Sequence, residues 1–198
     1  MRDAQLIQQG IHYDDILAAE RDAADSSEIE VVDGQIIEVT SGMTWLHTLL
    51  IQNLFNLLQT YVRDHQLGTV WIDGVRYVIV GNKTNIQTAR RPDLSFLRKG
   101  RIPADFDWNG DFYGAPDFAL EVQSPGQTHA SQLARVSDFL ANGTQEAWII
   151  YPTKEQVFQY RLAEDAPRVY GKSDLVDTSG LFPGLQVKLA DLMTVESR

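Results

Sequence analysis

The sequence predicts a mixed α/β fold, a central mixed sheet flanked by at least two helices and preceded by an N-terminal hairpin. Three observations predict it. Residues 44–65 carry apolar side chains at helical spacing, short apolar runs of strand type occur on either side of them, and a second helical pattern at 131–142 lies between two such runs. The 198 residues, 43% hydrophobic and 22% charged, have the composition of one ordinary globular domain. A chain of this size buries roughly 70% of its unfolded surface and needs neither disulfides nor a structural metal.

Taken in order, residues 1–28 are polar and acidic and are read as an N-terminal appendage with a short helix near 14–24; the domain proper is expected over 29–198. Two apolar runs within 29–39 meet at Asp33-Gly34, a pair that accepts the positive φ angles of a type I′ hairpin turn. In the long helix Leu46, Leu50, Leu54, Leu57, Leu58 and Tyr61 recur on one side before Gly68. Strands are expected at 69–72, 76–80, 93–97 and 118–123, with a loop rich in Gly, Asp and aromatic residues before the last. The second helix places Leu133, Val136 and Leu140 together and ends at Asn142-Gly143. Strands resume at 147–151 and 156–162, and Phe182-Pro183-Gly184 makes a late turn.

The absence of cysteine excludes zinc ribbons, iron–sulfur clusters and thiol nucleophiles. There is no cationic and apolar leader and no run of roughly 18 apolar residues, so a cytoplasmic protein with no membrane partner is expected. Phosphate-binding glycine loops, H-E-x-x-H and G-x-S-x-G are all missing, and His12, His47, His65 and His129 are too scattered to suggest a metal pair.

The formal charge of -10 is unevenly placed. Residues 1–33 hold nine acids and two bases, whereas from Arg76 to Arg101 seven cations accompany the single acid Asp93. This window reads either as a solvated basic stretch or as a cationic margin for a polyanion, with Arg90, Arg91 and Arg98 as its phosphate-binding candidates.

Chemistry is expected from carboxylates on strands. Alternation along Pro92-Asp93-Leu94-Ser95-Phe96 sets Asp93 and Ser95 opposite Leu94 and Phe96; along 118–123 it sets Glu121 and Gln123 opposite Leu120 and Val122. If these strands are neighbours, facing side chains lie about 5 Å apart at Cβ, and two such carboxylates do not both ionise comfortably without a cation. Magnesium, which takes oxygen ligands and keeps waters, is the natural candidate, and manganese can substitute. The alternative is that Glu121 forms a buried ion pair with Arg91 or Arg135.

Pro92-Asp93 followed by Glu121-x-Gln123 resembles the PD-(D/E)XK nuclease signature, and the surrounding residues resemble the bacterial Uma2 (Uma-two) family of restriction-endonuclease-like proteins. The resemblance is carried by Val32-Asp33-Gly34-Gln35-Ile36-Ile37-Glu38, the helix with His47, Arg91-Pro92-Asp93-Leu94, Gly114-Ala115-Pro116-Asp117, Leu120-Glu121-Val122-Gln123-Ser124-Pro125, Phe139-Leu140-Ala141-Asn142-Gly143, Ala147-Trp148-Ile149-Ile150 and Phe182-Pro183-Gly184-Leu185. It implies a restriction-endonuclease-like fold and a magnesium-dependent endonuclease acting on DNA, with homodimerisation by analogy to nucleases that cut both strands.

Residue by residue, the resemblance makes Asp93 and Glu121 metal-binding carboxylates and the Val122 carbonyl a further ligand. Glu38 corresponds to an acid that approaches the metal and His47 to a histidine at the helix start; their plainer readings are an exposed strand Glu and a core histidine. The lysine is where the sequence departs. Gln123 stands at the motif position and Arg135 at the helical position from which family members often supply it. An arginine is no base but orients water or stabilises phosphate charge. The alternative function is therefore a catalytically impaired nuclease fold that binds nucleic acid or a protein partner.

Overall fold

The computed structural model describes residues 10–24, 27–40, 42–72 and 74–195. They form two sheets. Helix α1 (Tyr13–Asp22) precedes the hairpin β1 (Ser27–Val32) and β2 (Gln35–Thr40), whose turn holds Asp33 at φ 49° and Gly34 at φ 70°, as a type I′ turn requires. These strands join β4 (Tyr77–Asn82), β5 (Asn85–Arg90) and β7 (Phe112–Tyr113) in a five-stranded sheet of order β2-β1-β5-β4-β7. The larger sheet takes β3 (Gly68–Ile72), β6 (Leu94–Arg98), β8 (Phe118–Val122), β9 (Glu146–Tyr151), β10 (Gln156–Arg161) and β11 (Arg168–Gly171), in the order β11-β10-β9-β8-β6-β3. Within it β8 pairs antiparallel with β6 and parallel with β9.

Opposite faces of β6, β8 and β9 meet different helices. Leu94, Phe96, Leu120, Val122, Trp148 and Ile150 share a core with α2 (Trp45–Asp64), which buries Leu50, Leu54, Leu58 and Val62 at helical spacing. The Thr44 hydroxyl accepts the His47 amide at 3.2 Å and starts that helix. Beyond its end, Gly68 lies so close to β6 that a Cβ would stand 2.0 Å from the Leu97 carbonyl oxygen, so the turn into β3 requires glycine. On the other face Leu97, Ala119, Ala147 and Ile149 pack with Val136 and Phe139 of α3 (His129–Ala141). The short α4 (Leu189–Leu192) returns Leu189 and Leu192 to the α2 side.

Three expectations need correction. Asp93 stands just before β6 rather than opening it, because the ladder to β8 begins at Leu94↔Leu120. A second sheet exists where one central sheet was expected, since Asn85–Arg90 forms a strand between β1 and β4. Finally, residues 10–24 are part of the domain: Ile16 is fully buried with Ile29, Val31, Val78 and Ile86, and the Ile11 and Ile86 backbones exchange hydrogen bonds. Residues 1–9, 25 and 26 of the expected appendage lie outside the described residues. No described helix is long and apolar enough to cross a membrane.

If α1 belongs to the core, Ile16→Ala should lower unfolding free energy by about 2–5 kcal/mol, the cost of emptying a closed apolar site. Urea denaturation measures this; a loss below about 0.5 kcal/mol, as for a surface substitution, would return α1 to the status of an appendage.

Candidate active site

Where β6 begins and β8 ends, a cavity of about 390 Å³ opens between α2, the hairpin and α3. Asp93, Glu121, His47, Arg135 and Glu28 supply its charged and titratable lining, and Val39, Met43, Ile51, Phe55, Ile72 and Val122 its apolar wall. The two carboxylates predicted to converge do line one cavity, Asp93 from just before β6 and Glu121 from the neighbouring β8.

Asp93 is turned toward α2. Its Oδ2 accepts the Val122 amide at 2.6 Å, occupying a backbone donor just past the end of the β6–β8 ladder, and stands 3.4 Å from His47 Nε2. Both contacts fall on one oxygen, leaving Oδ1 uncommitted among the described residues. Glu121 follows strand alternation to the α3 face, where Arg135 Nε stands 2.9 Å from its Oε2. Its other oxygen, Oε1, is buried without a hydrogen-bond partner among the described residues. Burial pushes the Glu121 carboxyl from its ordinary 4.5 up to about 8; Arg135 pulls it down, while the charges of Asp93 and Glu30 add to the rise.

Arg135 is held on every side. Besides Glu121, its NH1 reaches Glu30 Oε1 at 2.7 Å and its NH2 donates to the Arg91 carbonyl at 2.6 Å. Glu30 is fully buried on β1 and also takes Arg90 NH1 at 2.7 Å, while Asp138 of α3 pairs with Arg90 at 2.6 Å. Burial works against the charge on Arg135, but its carboxylate neighbours outweigh burial and raise its pKa, so it stays a cation throughout the range in which the protein folds. When ionised, Glu30, Asp93, Glu121 and Asp138 bring four negative charges against the two of Arg90 and Arg135, an excess of two before Glu28 is counted.

An orphaned buried carboxylate oxygen, a second carboxylate with a free oxygen, and an excess of two negative charges fit a hard divalent cation. The donor set is small. No group of three or more His, Asp or Glu side chains converges among the described residues. Such a site suits magnesium, which binds through one or two carboxylates and completes its shell with water and phosphate.

Other candidates fall differently. Gln123 does not reach the cavity: β8 ends at Val122, and the Gln123 amide donates to the Gln127 carbonyl at 2.9 Å. Gln127 lines the cavity instead, its Oε1 accepting from the Ser124 amide and from Gln132. Glu38 is exposed and pairs in register with Ile29, so it points away from the face that carries Glu30; its nearest contact is the Ala24 amide at 3.5 Å. The hairpin acids on the cavity side are Glu28 and Glu30. Their alternation with Ile29 and Val31 was the available signal, and reading the hairpin by its second strand missed it.

The cationic window is not a free margin either. Arg76 lies buried between Glu20 and Asp111, Arg91 pairs with Glu20, and Arg90 is consumed by Glu30 and Asp138. Arg98 sits at the far end of β6, beside Asp117 and Gln145, roughly 16 Å of strand from Asp93. Asp117 takes Arg101 as well and holds the turn before β8. As phosphate ligands, Arg90, Arg91 and Arg98 are opposed by this geometry.

A family model, Uma2, described as “Putative restriction endonuclease”, matches residues 13–194. Among solved structures, one described as “a putative nuclease belonging to DUF820 from Anabaena variabilis” has a TM-score of 0.74 and 23% identity, covering 92% of this chain and 97% of that one. At that identity the likeness is one of fold. A comparison with curated proteins finds no match.

The raised Glu121 carboxyl fixes the sign of a pH effect. Between about 4.5 and about 8 the folded protein holds a proton that the unfolded chain has released, so stability falls as pH rises through that window. In a chelating buffer, thermal unfolding of wild type should therefore decline relative to Glu121→Gln from pH 5 to pH 8. Parallel curves for the two proteins would show that Glu121 is ionised at the lower pH.

Proposed function

Because the chain belongs to the Uma2 family of restriction-endonuclease-type proteins, whose model covers residues 13–194, we propose that it is a divalent-metal-dependent endonuclease that hydrolyses DNA phosphodiester bonds at the Asp93–Glu121 cavity. The observation that carries the reading is the buried, unpartnered Glu121 Oε1 beside Asp93 in a pocket with surplus negative charge.

Asp93 Oδ1, Glu121 Oε1 and the Val122 carbonyl are the atoms proposed to hold magnesium or manganese. When bound, the ion supplies Lewis acidity at the scissile phosphate and lowers the pKa of water. The chain's own residues do the rest. His47 and the Val122 amide fix the orientation of Asp93. Arg135, permanently charged, keeps Glu121 turned so that one oxygen faces inward, and it adds a positive potential where phosphate charge develops. Gln127 provides the amide on the cavity wall that Gln123 was expected to provide. Paired sites would be needed only if both strands of a duplex are cut, and light scattering of the same preparations measures whether the protein is a homodimer.

One observation favours a second reading, a nuclease fold that binds nucleic acid or protein without cutting: Arg135 already lies against Glu121, and no lysine stands at either motif position. Incubation with supercoiled and linear DNA in magnesium or manganese separates the two. The nuclease reading expects cleavage that is lost on chelation and falls roughly 100-fold or more in Asp93→Ala and Glu121→Ala, the scale of a single electrostatic group in a transition state. Calorimetric metal binding with no turnover on any substrate supports the second reading; cleavage that survives in both variants overturns the site.

A further inference from the structure

Before its last turn, which carries Arg63 and Asp64, the outward face of α2 bears no charge. Trp45, Thr48, Gln52, Asn56 and Thr60 are exposed along it, and between Trp45 and Val62 the helix contains neither Lys, Arg, Asp nor Glu. A solvent-facing helix stripe is ordinarily its most charged part. Trp45 is 95% exposed, the most open of the large apolar side chains. Helical spacing sets it below Gln52 and Asn56, seven and eleven positions on, and these two residues with Thr48 form the lip of the cavity that holds Asp93 and Glu121. The stripe runs roughly 16 Å from Trp45 to Asn56. It continues inward into the apolar wall of Ile51, Phe55, Met43 and Ile72.

The chemistry of this surface is specific. An open indole offers a face for stacking, carboxamides pair with the edges of bases, and an apolar wall accepts a flat ring. What it lacks is the means to hold a duplex by its phosphates, because that depends on Lys and Arg. The arginines nearest the cavity, Arg90, Arg91 and Arg135, are all engaged by carboxylates of the protein. Bases inside a duplex hide their faces, whereas those of an unpaired strand expose them.

We propose that the α2 face is a base-binding track that leads an unpaired nucleic acid strand to the Asp93–Glu121 cavity, with Trp45 stacking on a base and Gln52 and Asn56 contacting base edges. This rests on the nuclease reading and names its substrate class.

The test is binding by fluorescence anisotropy in a chelating buffer, so that no cleavage intervenes. The probes are a labelled mixed-sequence DNA strand, the same sequence as RNA, its duplex, and a strand of equal length with abasic positions that keep the phosphates and lose the bases. Expected are tighter binding of single strands than of duplex, and a loss of about 5- to 100-fold both for the abasic strand and for Trp45→Ala. The same direction is expected for Gln52→Ala/Asn56→Ala. Trp45 is solvent-exposed, and unchanged thermal unfolding of its variant verifies that the fold is intact. Equal affinity for abasic and base-bearing strands, preference for duplex, or a Trp45→Ala protein that binds like wild type overturns the proposal. The two readings fail separately: cleavage that Asp93→Ala abolishes and Trp45→Ala leaves untouched removes the base track alone, whereas cleavage that survives in Asp93→Ala and Glu121→Ala removes the nuclease site whatever binds α2.

Discussion

The guanidinium of Arg135 joins both sheets and α3 by charge, beside the apolar core they already share. It projects from α3, reaches Glu30 on the five-stranded sheet and Glu121 on the six-stranded sheet, and takes the carbonyl of Arg91 in the link between β5 and β6. All three side chains are buried or nearly so. Desolvating such charges costs several kcal/mol per ion, and the cost is offset only where each has partners in good geometry. Replacing Glu30 or Glu121 removes a carboxylate partner of the buried Arg135, so the cluster adds to the shared apolar core in fixing how the two sheets lie. The same contact sets up the cavity. Arg135 meets Glu121 at Oε2 and leaves Oε1 buried without a hydrogen-bond partner among the described residues, the atom proposed above to take a cation.

The distribution of charge along the chain looked like two separate properties, an acidic beginning and a basic middle. In space part of each belongs to the same ion pairs. Glu20 of α1 takes Arg76 and Arg91, and Glu30 of β1 takes Arg90 and Arg135. A run of cations in sequence says nothing of how many carboxylates the fold will lay against it, because several of those, such as Glu20 and Glu30, come from elements distant in the chain.

Local patterns were readable where a physical period governs them. The α2 core face, the Asp33-Gly34 turn and the placement of Glu121 opposite Val122 all follow from helix spacing, positive φ and strand alternation. Gln123 failed because alternation holds only while the strand continues, and β8 stops at Val122 before the turn at Ser124-Pro125-Gly126. Glu38 failed for a matter of parity. In an antiparallel hairpin Glu38 faces with Ile29 and Glu30 with Ile37, so only one of these acids can look toward the cavity, and burial assigns that side to Glu30. The salt-bridged state of Glu121 was foreseeable as an alternative, but the choice between Arg91 and Arg135 depends on how α3 lies across the sheet, which no local period encodes.

These constraints bear on how a nucleic acid could approach. With Glu121 ionised the pocket carries surplus negative charge that repels phosphate, and the surrounding arginines are paired with the protein's own acids, so on the nuclease reading phosphate attraction alone does not position a strand there. Affinity must then come from surfaces indifferent to charge. The uncharged face of α2 and the apolar wall it joins are such surfaces, and they end at the carboxylates. On the proposed reading, the acidity of the cavity and the lack of charge on α2 become parts of one arrangement, in which bases would supply grip and a metal ion would make the phosphate tolerable.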